Sequence, residues 1–478
     1  MEVLHISTEC YPAAKAGGMG DVVGALPIYL PKHNVEASVI LPRYKRKWFE
    51  DQTFETVHNG GVQLGVHHFS YEIHKLKGSD LKYPLYCINL PGLFDREDIY
   101  LGMDGHGYHD EDKRNIAFQR ATLDWIVNSD AHFDVLHCHD HMTGLIPFMI
   151  KCCPDFDVLK NIPTLFSIHN GQYRGIFDWS VNNYLPYYDA RHGGLLDWDG
   201  NINSLAAAIK CAWKVNTVSP SYMRELIDDF DTLTGLVRSE EGKCTGIING
   251  IDNDLWDPSK DEFLDHHLEK SNWKSFKSKN KSALLKKYNL KARRPLIGFI
   301  GRMAHQKGAD ILIQSIEQCL QEKLPVSAVI LGSGDKELER SLQRLEADYP
   351  RDIKVIIAYD EKLAREIYAA SDFLMMPSRF EPCGLNQMYS MRYGTIPIVS
   401  HVGGLKDTVP DVKRKGHGIV SPSIDAGGFF ESLKRAITLY KDKKRFGSVL
   451  SRIIKVDFSW DQSASKYAEI YKELTNIK

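Results

Sequence analysis

The chain has 478 residues, 43% of them hydrophobic, too long for one core and apolar enough to build two. A formal net charge of -2 and a pI near 6.8 exclude a global electrostatic pull toward nucleic acid or a membrane. Nine cysteines without a CxxC spacing exclude a zinc knuckle and a secreted disulfide frame; with no leader pattern and no run of about twenty apolar residues, the expected location is the cytoplasm.

In the first half, short apolar runs end in Gly, Pro, Ser or His: EVLHIST, ASVILP, PLYCINL, DVLHCHD, PTLFSIH, KVNTVSP and CTGIING. Near-continuous apolar strands alternating with helical stretches predict parallel sheets covered on both faces. The second half repeats the rhythm with PLIGFIGR, VSAVILGSG, IKVIIAYD, DFLMMPS and IPIVSHVGG, so the expected architecture is α/β, doubly wound, twice over. Two such domains would place a cleft at the carboxyl ends of both sets of strands.

The first strand is followed by STECYPAAKAGGMGDVVGALP. Gly17 and Gly18 let the backbone approach a ligand, the helix behind them aims its N-terminal amides at it, and Lys15 adds a charge. Together they read as an anion cradle, without the GxGxxG of a dinucleotide site. The next polar stretch, LFDREDIYLGMDGHGYHDEDKRN, is expected to be a loop over the cleft.

Residues 135 to 145 read VLHCHDHMTGL. Neutral imidazoles and a carboxylate are usual ligands for zinc or iron, and His137, His139 and His141 would share one face of an extended segment. No second ligand cluster lies near in sequence, so a metal site and a site for something else both stay open here. The triplets Asp197-Trp198-Asp199 and Asp229-Phe230-Asp231 could pass for a metal-binding DxD but read as surface residues in irregular stretches. Beyond the turn GIINGIDNDLWDP, a Lys-rich segment between Lys270 and Arg294 carries no acidic residue and reads as a solvated helix opening the second domain.

There, GRMAHQKGADIL sets Arg302 and Lys307 five residues apart behind a strand, two fixed cations suited to a diphosphate leaving group. In PSRFEPCGLNQ, Glu381 precedes the helix-start amides of Gly384 and Leu385, a combination that can grip the hydroxyls of a sugar. FSWDQSASKYAEIYKEL has the apolar spacing of a terminal helix that crosses back to the first domain.

The stretches KAGGMGDVVGALP, HCHDHMTGLIP, SIHNGQYRG, TVSPSY, GIINGID, GRMAHQKGADIL, PSRFEPCGLNQMYSMRYGTIPIV and DFSWDQSASKY resemble, in order and spacing, the bacterial glycogen synthases and plant starch synthases, over residues 1 to about 473. The resemblance implies a two-domain GT-B fold: residues 1–255 binding the acceptor, 256–455 binding the nucleotide sugar, and 456–478 forming the returning helix. It implies a retaining glucosyltransferase that moves glucose from a nucleoside diphosphate to the 4-hydroxyl of an α-1,4-glucan without metal or other cofactor; with no carboxylate clearly placed as a nucleophile, front-face attack is the expected course. ADP-glucose is the expected donor, with UDP-glucose as the alternative, and neither nucleic acid nor membrane is an implied partner.

Matched residue by residue, Lys15, Gly17 and Gly18 meet the diphosphate, with Arg302 and Lys307 as the leaving-group cations. His169 contacts the donor glucose and Asp140 the transferred sugar and acceptor. Glu381 positions the glucose, Cys383, Gly384 and Leu385 give backbone contacts, and Tyr359 stacks on the base. Three departures stand out. His141-Met142 replaces the Trp-His of the common HDWH, Met19 replaces the leucine of KxGGL, and Tyr389 occupies the second position of the E-x7-E pair of other retaining enzymes. The rivals are a glycogen phosphorylase, for which no pyridoxal-binding lysine is evident, a glucan-binding scaffold without turnover, and a metallohydrolase built on HCHDH.

Overall fold

The structure, a computed structural model, describes residues 1–78, 80–102 and 105–476; Met103 and Asp104 of the polar insertion and residues 477 and 478 of the terminal segment lie outside the described residues. The chain divides into two units. Unit 1 is Met1–Val218, Met223–Gly250 and Trp460–Lys478, and unit 2 is Ser219–Tyr222 and Ile251–Ser459.

Unit 1 contains β1 (Glu2–Ile6), β2 (Glu36–Pro42), β3 (Thr53–Leu64), β4 (His67–Lys77), β5 (Leu85–Asn89), β6 (Val135–His139), β7 (Thr164–Ile168), β8 (Ile176–Phe177), β9 (Asp197–Trp198), β10 (Asn201–Asn203), β11 (Lys214–Thr217) and β12 (Cys244–Gly246). Its large sheet runs β12-β11-β7-β6-β1-β2-β5-β4-β3. The seven apolar runs of the sequence are its parallel strands, but β4 and β3 add an antiparallel edge, so the sheet is mixed. That hairpin escapes an apolar-run search because it alternates: Val62, Leu64, Tyr71 and Ile73 are buried while Gly61, Gln63, Ser70 and Glu72 between them are not.

Among the parallel strands, the order reverses between β1 and β6, the first and fourth in sequence. The Trp460–Asn476 helix packs on this part of the sheet, its Trp460, Tyr467, Tyr471 and Leu474 joining Val3, Val22, Val135 and Leu165 in one buried cluster. At roughly 2 kcal/mol per fully buried large side chain, these four contacts alone make the helix integral to unit 1.

Unit 2 contains β13 (Leu296–Ile300), β14 (Ser327–Gly332), β15 (Ile353–Ile357), β16 (Phe373–Met376), β17 (Ile396–Val399) and β18 (Ile419–Val420), all parallel in the order β15-β14-β13-β16-β17-β18. This is the doubly wound order, reversing between β13 and β16. Several of its helices begin where a side chain caps them: Asp335 accepts from the Glu337 and Leu338 amides, Asp360 from Leu363 and Asp425 from Gly428.

The Lys-rich segment forms the helix Trp273–Lys287, but it is not wholly solvated as its charge suggests. Phe276, Leu284 and Leu285 are buried, Lys281 Nζ lies 2.5 Å from Asp372, and Lys277 Nζ donates to the carbonyls of Tyr368 and Tyr393 and to Thr395 Oγ1. Burial pushes the Lys277 ammonium down to about 7. The polar insertion also corrects its reading: Leu93, Phe94 and Ile99 are buried anchors, and from Glu111 the chain is helical to Val127.

Candidate active site

The loop after β1 folds around a carboxylate. Glu9 Oε2 accepts the amides of Ala16 (2.6 Å) and Gly17 (2.7 Å), and Oε1 accepts the Tyr100 hydroxyl (2.6 Å). The Gly17 amide, expected to meet an anion, is therefore turned inward; a Cβ at Gly18, by contrast, would meet only open space, and there the Gly18–Tyr29 helix begins. Lys15 is 40% exposed, with its Nζ 2.6 Å from Asp21 Oδ1. Glu9 was missed in the sequence; the signal was a lone acid between the strand end and a loop whose amides need an acceptor.

The next strand along, β6, carries the histidines. His5 and His137 are partners in the β1–β6 register, His139 pairs with Ser167 of β7, and Ser167 with Asn216 of β11. Because side chains two apart share a face, all of these meet under the Trp460–Asn476 helix. Ser167 Oγ donates to Asn216 Oδ1 (2.6 Å), so it accepts from His137 Nε2 (2.6 Å); His137 Nδ1 then accepts the Tyr471 hydroxyl (2.8 Å), and Asn216 Nδ2 donates to Tyr467 (3.1 Å).

A second chain runs from His5 Nδ1 to His139 Nε2 (3.0 Å) and from His139 Nδ1 to His169 Nε2 (2.9 Å). Burial lowers all four imidazoles, His5 and His169 to about 3 and His137 and His139 well below the usual histidine range, so each is neutral near pH 7.

The metal alternative meets a geometric test here. His5, His137 and His139, not His141, bring ring nitrogens within 4.8 Å of one another. Both nitrogens of His137 are already committed to Ser167 and Tyr471, so ligation through either would break a buried hydrogen bond. The acids of the DxD triplets lie at the surface as expected, Asp199, Asp229 and Asp231 exposed and Asp197 half-buried, but their stretches are not wholly irregular. Asp197-Trp198 is β9 of a small antiparallel sheet, β8-β10-β9, and Asp197 accepts from Trp179; Phe230 is buried, and Asp231 pairs with Arg174 at 2.5 Å.

Asp140 ends β6 in a conformation rare for a residue with a side chain, φ 57 and ψ 177. Such strain costs on the order of 1–3 kcal/mol and marks functional positions. The Asp140 amide bonds Ser167, its Oδ1 accepts the His169 amide at 2.7 Å and the Asn170 amide at 3.4 Å, and burial pushes its carboxyl up to about 7 against the pull of those amides. Asp140 and His169 are thus brought together. Beside them His141 Nε2 stands 3.3 Å from Glu111 Oε1.

In unit 2 the loops after β13 and β16 converge. Lys307 Nζ lies 2.6 Å from Glu381 Oε2, which also accepts Ser378 Oγ at 3.1 Å, and Arg302 Nη2 donates to Gln306 Oε1 at 2.8 Å. Gly308 makes this approach possible: its φ is 68, and a Cβ there would fall 2.0 Å from the Pro377 carbonyl oxygen. Cys383 is buried, Gly384 takes φ 71, and Leu385 caps the seven-residue helix Asn386–Arg392, whose Gln387 Nε2 holds the carbonyls of Cys383 and Gly384. Tyr359, 90% exposed, stands apart from this group beyond β15. Tyr389 stacks on Trp256 with ring centroids 3.6 Å apart, which explains why no second carboxylate serves at that position.

Comparison with known proteins fits this arrangement. Residues 2–239 match the family described as starch synthase catalytic domain, and residues 280–449 match glycosyl transferases group 1. The chain is 44% identical to the glycogen synthase of Flavobacterium johnsoniae, over all of both chains, and 36% identical to that of Clostridioides difficile, over 99% of this chain and 100% of the relative. Among solved structures, the catalytic domain of starch synthase IV from Arabidopsis thaliana bound to ADP and acarbose superposes with a TM-score of 0.87 at 29% identity, covering 99% of each chain. Sucrose-phosphate synthase from Thermosynechococcus elongatus, at 17% identity and a TM-score of 0.63, shares the fold.

Proposed function

Because this chain belongs to the family of bacterial glycogen synthases and plant starch synthases, we propose that it transfers glucose from ADP-glucose to the 4-hydroxyl at the non-reducing end of an α-1,4-glucan, with retention. One observation carries the assignment of residues. In each unit the charged candidates follow the two strands that flank the reversal of strand order: Lys15 after β1 and Asp140 after β6, Arg302 and Lys307 after β13 and Glu381 after β16; His169 follows the neighbouring β7. Ligands of doubly wound sheets bind at that edge.

Lys15, with the helix start at Gly18, and the pair Arg302 and Lys307 hold the diphosphate and offset the charge that develops on it as the glycosidic bond breaks. Glu381 binds hydroxyls of the glucose, supported by the backbone of Cys383, Gly384 and Leu385, and Tyr359 stacks on the base. Asp140 and His169 meet the transferred glucose. The acceptor attacks on the face from which the diphosphate leaves, and a phosphate oxygen takes its proton. Three cations and a helix start supply the charge that a metal would otherwise provide, so the reaction needs no added ion.

The test is nucleotide release from ADP-glucose and from UDP-glucose with glycogen as acceptor and a chelator present. Transfer from ADP-glucose that survives chelation is expected. Transfer from UDP-glucose alone would correct the donor, and no transfer by protein that still binds glycogen would replace the reading with a glucan-binding one.

A further inference from the structure

We propose that His139 and His5 act as positioning residues that keep the ring proton of His169 on Nδ1, so that His169 donates a hydrogen bond to an oxygen of the glucosyl donor. The proposal rests on the reading of His169 as the side chain that meets that sugar.

The geometry leaves few choices. His169, His139 and His5 are buried and joined end to end at 2.9 and 3.0 Å, and a neutral imidazole has one N–H and one lone pair. Each bond needs one donor and one acceptor, so the three rings must all donate in the same direction. If they donate toward His5, His5 Nε2 carries an N–H; if they donate toward His169, His5 Nε2 carries only a lone pair. That nitrogen is buried and has no hydrogen-bond partner among the described residues.

An orphaned buried N–H is the rarer and costlier end, because a donor stripped of water with no acceptor forfeits its full solvation. The favoured chain therefore runs His5 Nδ1–H to His139 Nε2, then His139 Nδ1–H to His169 Nε2. His169 is left with its proton on Nδ1, its remaining ring nitrogen. Free histidine in water favours the opposite tautomer, so the enforced one is measurable. His137, locked in its own network with Ser167 and Tyr471, walls the relay from the helix side and takes no proton from it.

The experiment uses the full chain with isotope-labelled histidine and reads ring tautomers from long-range nitrogen–proton correlations, the His169 signals being identified by their loss in His169→Gln. The expected result is Nδ1–H at His169, shifting to Nε2–H in His139→Phe and in His5→Leu. It should persist in His5→Asn, whose amide stands where Nδ1 does. Turnover with ADP-glucose and glycogen should fall about tenfold in His5→Leu and recover in His5→Asn, with the KM for glycogen unchanged.

Nε2–H at His169 in the unaltered enzyme, or a tautomer that neither variant moves, would overturn the proposal; the unaltered enzyme decides alone if the variants fail to fold. Tautomers that shift as expected without any change in turnover would leave the relay standing. They would overturn its hydrogen bond to the sugar and the reading of His169 with it.

Discussion

The ammonium of Lys307 and the carboxylate of Glu381 stand 2.6 Å apart, one from the loop after β13 and the other from the loop after β16. The two are proposed for different parts of one donor, the diphosphate and the glucose, so each also sets the charge the other feels. Replacing Lys307 by Ala should lower turnover by about 10²–10³-fold, the scale of losing one preorganised charge at a developing anion. Lys307→Arg should restore little, since a planar guanidinium cannot occupy the place of a compact ammonium. Steady-state rates with ADP-glucose decide it, and a near-normal rate for the alanine variant would remove Lys307 from the mechanism.

Asp140 gives a pH signature in stability. Its carboxyl sits at about 7 in the fold against an ordinary 3.8, so the folded chain binds the proton more tightly than the unfolded one. Stability from this group is fully present below about pH 4 and is lost as pH rises through about 7. Asp140→Asn should therefore raise the Tm at pH 8, by about 2–4 °C for each kcal/mol recovered, and the gain should vanish by pH 4. The same variant should lose turnover; thermal scans at both pH values beside a rate assay check both halves.

Tyr471→Phe removes the hydroxyl that His137 Nδ1 accepts and leaves a buried nitrogen unpaired. A loss of about 1–3 kcal/mol is expected, read as a lower urea midpoint with an unchanged slope. Turnover with ADP-glucose and glycogen should not move, which separates this network from the His5–His139–His169 relay.

Tyr359 is largely exposed. If it stacks on the base, Tyr359→Ala should raise the KM for ADP-glucose about tenfold, equivalent to about 1.4 kcal/mol, and leave kcat nearly unchanged. A fall in kcat at constant KM would give the residue another task.

The parallel strands were legible because buried strands are continuous apolar runs, and nearly all of the doubly wound core follows from them. The β3–β4 hairpin was not, because an alternating strand with His, Glu and Lys on its wet face carries no such run. Lys277 and Lys281 show the same limit in a helix: their charge reads as solvent, yet distant carbonyls and Asp372 take them inside. The residues offered for the donor could be named from their place behind strands. The linking of His5 to His139 could not, since it joins two strands whose meeting only the sheet order determines, and the grip of Glu9 on Gly17 depends on how the loop between these two residues folds back on itself.

The Trp460–Asn476 helix gives unit 1 an unusual timetable. His137 and Tyr471 are 334 positions apart, so during synthesis the histidine layer emerges long before the hydroxyl that completes it. Domains made first generally fold first on the ribosome. Here the nascent sheet must wait, with Val3, Val135 and Leu165 uncovered, while the whole of unit 2 is translated. A chain arrested before residue 460 should consequently display a sticky half-molecule, a natural client for chaperones that shield apolar surface until the last helix arrives.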